Sequence, residues 1–208
     1  MDAKMEESLD IKLKEYKRKG DVDGILELAN SYINTAPELA FSCYLSGPEL
    51  NSPYLTWLLA DAYYYGEGTE KSIDKALQYY EQAATLGQAE AYTSLGIYYL
   101  EELSGEEYIE KAIYYYSKAA ALNEPHALHN LGVMYSSGQG VEINKEKAYE
   151  LFFKAAELGH DEAMFKVGWC LLHGEGTHID KPQAVVWLKR ASDEENMNAI
   201  ELLKDLNT

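Results

Sequence analysis

Small and large apolar residues recur along this chain with a period of 36 residues. Ala127, for example, falls on Ala91, Ala163 and Ala199 when the sequence is shifted by multiples of 36. Within each period the apolar positions follow three- and four-residue steps, which indicates two amphipathic helices per repeat. A fixed period of this length is typical of a solenoid, whose units bury their apolar faces only against their neighbours. We therefore predict an all-α, right-handed α-solenoid of stacked helix-turn-helix repeats.

The repeat divides the sequence into one predicted solenoid domain, residues 1–208, with about twelve helices. Gly, Pro and Ser residues mark a connector before the first clear repeat. The predicted segments are an N-terminal capping helix at 1–20, a degenerate repeat and connector at 21–54, four repeats at 55–90, 91–126, 127–162 and 163–198, and a C-terminal capping helix at 199–208.

Glycines recur at two kinds of position. Gly132 stands inside a predicted helix, where glycine costs up to about 1 kcal/mol relative to alanine, so its recurrence at 96 and 168 suggests close helix packing. Gly66, Gly138 and Gly174 follow the first helix of their repeats and can end it in the left-handed conformation. They are not expected to hold phosphate, because they follow a helix rather than a strand. In the second repeat the acidic segment 101–107 replaces these glycines, and we expect its first helix to run on.

The sequence of residues 127–159 resembles a known repeat family. It matches the pattern A-x3-L-G-x2-Y-x2-G-x-G-V followed by K-A-x2-(aromatic)-(aromatic)-x-K-A-A-x2-G nearly throughout. This is similar to the Sel1-like repeat family, whose members are related to tetratricopeptide repeat proteins. The resemblance covers residues 55–206 well and 23–47 weakly. It implies adaptor or scaffold roles rather than a particular reaction, and hence a protein that is not an enzyme.

Charge narrows the classes of partner. The net charge is −17, and residues 21–208 carry 12 basic against 30 acidic side chains. Such a surface repels phosphate backbones and anionic lipids, so we expect neither nucleic acid nor a membrane as partner. It is compatible with a basic protein or peptide, although a high net charge also serves solubility alone. Cys43 and Cys170 have no sensible disulfide spacing, and no secretory signal is visible, so we expect a reducing, cytoplasmic location.

A binding groove is expected where the first helices of successive repeats line a concave face. Residues on those helices that the repeat packing does not require are unusually aromatic and apolar, with scattered acids, which is typical of an interaction site. The candidate groove residues are Tyr54, Trp57, Asp61, Tyr64, Tyr65, Glu90, Thr93, Ile97, Leu100, Glu101, His126, His129, Val133, Phe165, Trp169, Leu172 and His173, and the same offsets include Ser136, Ser137 and Glu162. The opposing interpretation is that the repeats pack tightly enough to make these rings part of the core.

Other functions stay open on the sequence alone. One is an inhibitor or immunity-type protein that masks a basic toxin or enzyme. Another is a metal-binding or hydrolytic protein that uses the region of His126, His129 and His173, although a zinc site needs three or four converging ligands. No nucleophile–base pair or cofactor loop stands out, so we assign no catalytic residue, metal or cofactor. A monomer is favoured, and self-association through the groove is the remaining oligomeric possibility.

Overall fold

The structure is a computed structural model that describes residues 3–206, with side chains described from residue 5 onward. All regular elements in that part of the chain are helices. They are α1 (Ala3–Lys19), α2 (Val22–Tyr32), α3 (Pro37–Tyr44), α4 (Ser46–Glu49), α5 (Pro53–Tyr65), α6 (Ile73–Thr85), α7 (Ala89–Ile97) with a π-helical turn (Tyr98–Glu102), α8 (Glu106–Ala121), α9 (Pro125–Ser137), α10 (Lys145–Glu157), α11 (Asp161–His173), α12 (Lys181–Asp193) and α13 (Met197–Leu206).

The helices form two compact units, Met1–Leu95 and Gly96–Thr208. In the first unit, α2 pairs with α3, and α5 pairs with α6. Ile25, Leu55 and Leu59 are fully buried in this unit. The segment predicted to hold a degenerate repeat contains one helix pair, α2 and α3. The expected connector differs from prediction because its residues 46–49 form the additional one-turn helix α4.

Local sequence explains where the first helices begin and end. Ser52 precedes α5, and its hydroxyl accepts a hydrogen bond from the backbone N–H of Leu55. Pro53 then occupies the first helical turn, where its missing N–H costs nothing. Gly66 ends the helix with φ of 78°, a conformation that side chains with a Cβ rarely adopt. Gly138 and Gly174 end α9 and α11 in the same way, so the predicted left-handed helix ends are confirmed.

The helix-interior glycines lie where a large side chain of the paired helix packs on the backbone. A Cβ on Gly132 would stand 2.6 Å from the ring of Phe152, and one on Gly96 would stand 2.5 Å from Tyr116. These separations are far shorter than a van der Waals contact, so no side chain fits there without movement. The packing role predicted for this glycine row is confirmed in the second unit.

The second unit has one continuous core from α9 to α13. Phe152, Val167, Trp187 and Leu188 lie in it beside the repeated alanines. Ala199 of α13 is fully buried in this cluster, and Leu202 and Leu203 pack against it. That this helix caps the array stays a prediction. No helix in residues 3–206 is long and apolar enough to cross a membrane.

The end of α7 departs from the other first helices, as the acidic segment indicated. Instead of a left-handed glycine, a π-helical turn over Tyr98–Glu102 carries the chain onward. Leu103 then becomes extended, and Gly105 with φ of 141° precedes α8. The predicted extension of this helix is therefore one π-helical turn long.

Candidate functional site

The predicted groove residues differ widely in how much solvent reaches them. Those with an exposed side chain are Tyr54, Tyr65, Glu101, His126, Trp169 and His173. Those that are half-buried are Trp57, Asp61, Tyr64, Glu90, Ile97, Leu100, His129, Val133, Phe165 and Leu172. Thr93 is only 5% exposed and belongs to the core, which corrects its assignment to an open groove. That these residues form one binding groove stays a prediction.

In the first unit, five of the predicted groove residues lie within α5. Together they define what we call the α5 face: Tyr54, Trp57, Asp61, Tyr64 and Tyr65. The rings of Tyr54 and Trp57 lie 5.5 Å apart, centroid to centroid. Tyr64 and Tyr65 meet edge to face at 4.9 Å. Tyr54 is 41% and Tyr65 is 66% exposed, so large aromatic surfaces of this face meet solvent.

Two members of the α5 face are also bound to interior groups. The Tyr80 hydroxyl donates a 2.6 Å hydrogen bond to Oδ1 of Asp61. The indole Nε1–H of Trp57 donates to Oγ of Ser94, at 3.1 Å. Burial is the main cause that raises the pKa of the Asp61 carboxyl, the Tyr80 hydrogen bond opposes it, and the charge of Glu67 adds to it, so that the pKa lies at about 6. This carboxyl is therefore harder to ionise than an ordinary aspartate, and it stands among aromatic rings.

In the second unit, three rings run along α11 and define what we call the α11 face: Phe165, Trp169 and His173. His173 stacks on Trp169 with centroids 4.0 Å apart, and Phe165 lies 6.3 Å from Trp169 on the other side. The indole of Trp169 is 38% exposed. The rings are four residues apart, so one side of the helix presents all three.

A small cavity of about 150 Å³ opens beside Trp169. Phe152 and Cys170 contribute apolar walls, and Lys145 and Glu175 contribute an ion pair of 3.1 Å at its edge. An apolar recess with charged groups at its edge can hold one side chain of a partner. Sequence reasoning missed Lys145 and Glu175, because they lie outside the first helices.

The histidines are arranged differently from the metal hypothesis. His126 and His129 meet His160, whose ring lies 4.7 Å from each of theirs, whereas His173 lies at the far end of α11. Nδ1 of His160 accepts a hydrogen bond from the backbone N–H of Ala163, so its proton is on Nε2, 3.1 Å from Nδ1 of His126. Burial and the neighbouring His160 lower the pKa of His129 to about 4.

The grouping proposed for a metal is therefore wrong in its third member. Among the side chains that the structure describes, no group of three or more His, Cys, Asp or Glu residues is placed to hold a metal ion. His160 instead caps the start of α11, and Glu124 and Asn196 hold the same place one repeat earlier and later. That 36-residue spacing was visible in the sequence and could have identified His160 as a capping residue.

Comparison with known proteins defines the class. The Sel1 repeat family matches residues 54–88, 89–124, 125–160 and 161–196, more than half of the chain. The chain belongs to this family, as its sequence indicated. Sel1 repeat proteins generally mediate protein–protein interactions, typically as scaffolds without enzymatic activity. A comparison with curated protein sequences gives no match.

Solved structures show the same solenoid fold. A Sel1 repeat protein from Oxalobacter formigenes has a TM-score of 0.82 at 23% identity, with 89% of this chain and 78% of that one covered. A protective antigen of uropathogenic Escherichia coli has a TM-score of 0.75 at 23% identity, with 90% and 41% covered. An immunity protein from Pseudomonas aeruginosa has a TM-score of 0.61 at 22% identity, with 86% and 66% covered. The predicted all-α solenoid class is confirmed.

Proposed function

We propose that this protein is a non-enzymatic adaptor that binds a peptide or protein with a basic surface through the exposed faces of its first helices. The observation that carries the proposal is the α11 face. Trp169 is 38% exposed, stacks on His173, has the tilted ring of Phe165 at 6.3 Å, and lies beside a recess of side-chain size. An exposed aromatic surface of this kind is typical of an interaction site. Tryptophan is also one of the residues enriched among the energetically dominant residues of protein interfaces.

Charge supports the basic partner. The protein carries a net charge of −17, which accelerates encounter with a positively charged surface at low ionic strength. The aromatic faces would then supply the short-range contacts, because exposed ion pairs contribute little affinity by themselves. Steering and anchoring thus come from different residues and can be tested separately.

The test is a capture experiment followed by a binding measurement with the purified captured protein. We expect Trp169→Ala to weaken binding by at least roughly thirtyfold, the effect of losing an anchor residue worth about 2 kcal/mol. Tyr114→Ala is the matched control, because Tyr114 is an aromatic residue of the second helix α8 and is 56% exposed. Equal affinity of wild type and the folded Trp169→Ala variant would contradict the proposed α11 face.

The salt dependence of binding provides a second test of the proposal. The association rate constant should fall as ionic strength rises from about 20 to 150 mM, since screening shortens the Debye length to about 8 Å. Dissociation of the complex should change less. An association rate that does not depend on salt would remove the basic-partner part of the proposal and leave the anchor intact.

A second candidate is an inhibitor or immunity-type protein that masks a basic toxin or enzyme. The strong acidity favours it, and one protein of similar fold is an immunity protein, although that likeness concerns the fold alone. If the captured partner is an enzyme, its activity should fall to zero at one equivalent of this protein. Retention of full activity in the saturated complex would favour the adaptor.

A further inference from the structure

Asp61 is a carboxylate without a countercharge in an aromatic setting. Its Oδ1 accepts the hydrogen bond of the neutral Tyr80 hydroxyl. Among the described side chains, no Lys, Arg or His forms an ion pair with it. Burying a carboxylate in this way costs free energy, which the Tyr80 hydrogen bond offsets in part and an approaching cation offsets further. The sequence repeat does not require an acid here, because Ile97 and Val133 hold the corresponding positions in the next two repeats.

The rings of the α5 face stand before and after Asp61 on the same side of the helix. Trp57 lies four residues before it and Tyr65 four residues after it, with Tyr54 one further turn before Trp57. Tyr54 and Tyr65 are exposed, and the face of an aromatic ring carries the negative side of its quadrupole, which attracts cations. Glu67 adds a second negative charge, whose influence reaches both Asp61 and Tyr44.

We propose that the α5 face binds an arginine side chain of the partner, with Asp61 as its counterion. This proposal rests on the proposed function and specifies which side chain of the partner the first unit binds. A guanidinium is planar and weakly hydrated, so it can stack on a ring while its edge donates to a carboxylate. A lysine ammonium is more strongly hydrated and lacks the planar stacking surface. Arginine is therefore the occupant that uses both features of the site.

Binding should depend on pH because only ionised Asp61 attracts the guanidinium. The groups that face Asp61 are Tyr80 from α6, Tyr44 from α3, and Glu67 from the loop after α5. Nζ of Lys71, in the same loop, lies over the ring of Tyr64 at 5.3 Å from the ring centroid. It adds a positive charge, opposite in sign to that of Asp61 and Glu67. Since Tyr80 and Tyr44 stay neutral, acidification below about 6 protonates Asp61 and should release the cation.

The test uses N-acetyl-arginine amide as probe and the neutral isostere N-acetyl-citrulline amide as control. The nuclear magnetic resonance signal of the Trp57 indole N–H, which is held by Ser94, reports on the site. We expect a saturable shift with the arginine probe at pH 7.5, a weaker one at pH 5, and none with the citrulline probe. Asp61→Asn, which keeps an acceptor for Tyr80, should weaken binding about tenfold or more, as expected for a charged hydrogen bond.

Asp74→Asn is the matched control variant, because Asp74 is exposed in the first turn of α6 and its loss changes the net charge equally. Equal shifts with both probes, or unchanged arginine binding in Asp61→Asn, would overturn the proposal, as would no shift with either probe. The result is separable from the proposed function. Arginine binding without any captured partner would support only this site, and capture that depends on Trp169 without arginine binding would support only the adaptor.

Discussion

Acidification should destabilise the second unit through one histidine. His129 packs between Phe152 and the ring of His160, and its Nε2 is buried without a hydrogen-bond partner. Burial and His160 lower its pKa to about 4, whereas an unfolded histidine titrates near 6.5. Between these two values the unfolded chain binds more protons than the folded one. The free energy of unfolding is therefore fully retained above about pH 6.5 and falls as the pH decreases towards 4.

The size of the effect follows from the two pKa values. Linkage gives a loss of about 2 kcal/mol between pH 7.5 and 5.0, with a limit of about 3 kcal/mol below pH 4. Burial and the neighbouring His126 also lower the pKa of His160, so its contribution has the same sign. Asp61 acts in the opposite direction. Its pKa is raised on folding, so that its contribution to stability increases as the pH falls through about 6.

Because several groups titrate together, the wild-type pH profile is not diagnostic by itself. The assay is urea unfolding at pH 7.5 and 5.0 for wild type and for His129→Gln, which cannot titrate. The difference between the two proteins should shrink by about 2 kcal/mol at the lower pH. His178→Gln is the matched control, since His178 is exposed in the loop between α11 and α12. It should leave the profile unchanged. A His129→Gln variant that loses as much stability on acidification as wild type would refute the argument.

Three further substitutions each test one packing contact or hydrogen bond. Gly132→Ala should lower the free energy of unfolding by about 1 to 2 kcal/mol, because the added Cβ meets the Phe152 ring at 2.6 Å. Adding Phe152→Leu to this variant should recover part of the lost stability. Additive losses in urea unfolding would contradict that contact. Tyr80→Phe should cost about 1 to 2 kcal/mol at pH 7.5 by leaving Asp61 without its donor, and the loss should vanish in an Asp61→Ala background, which has no acceptor for the hydroxyl. Glu124→Ala removes the acceptor of two backbone N–H groups at the start of α9 and should lower the free energy of unfolding by about 1 kcal/mol. If Glu124→Gln lowers it by as much, the charge and not the capping hydrogen bonds is responsible.

The helices and their packing were predictable because the same pattern of small and large residues recurs in each repeat. Gly132 indicated a close helix contact because glycine is costly inside a helix, and the structure supplies the reason in Phe152. The residues that end first helices were equally visible, since only glycine adopts their conformation readily. The second repeat lacks that glycine, and a π-helical turn takes its place. Such local rules need no knowledge of other parts of the chain.

The exposure of the candidate site was less predictable, because it depends on what the second helices place behind the first. Offsets along a single helix put Thr93 and Asp61 on the same open face. In the structure Thr93 is core, and Asp61 is half-buried against Tyr80, a residue nineteen positions later. Both outcomes depend on side-chain reach between helices rather than on spacing within one helix. A periodic sequence defines the register of such contacts but not their depth.

Contacts between neighbouring repeats do follow a rule that the sequence contains. Trp57 bonds Ser94 across 37 positions, His126 meets His160 across 34, and Asn196 donates to Glu162 across 34. All three separations lie within two residues of the period, since first helices of adjacent repeats are neighbours. A polar residue on a first helix should therefore be compared with the positions about 34 to 37 residues away before it is assigned to solvent or to a ligand. Applied to Asp61, the rule finds Leu95 and Ile97 ahead and no cation, which agrees with the arginine site proposed for the α5 face.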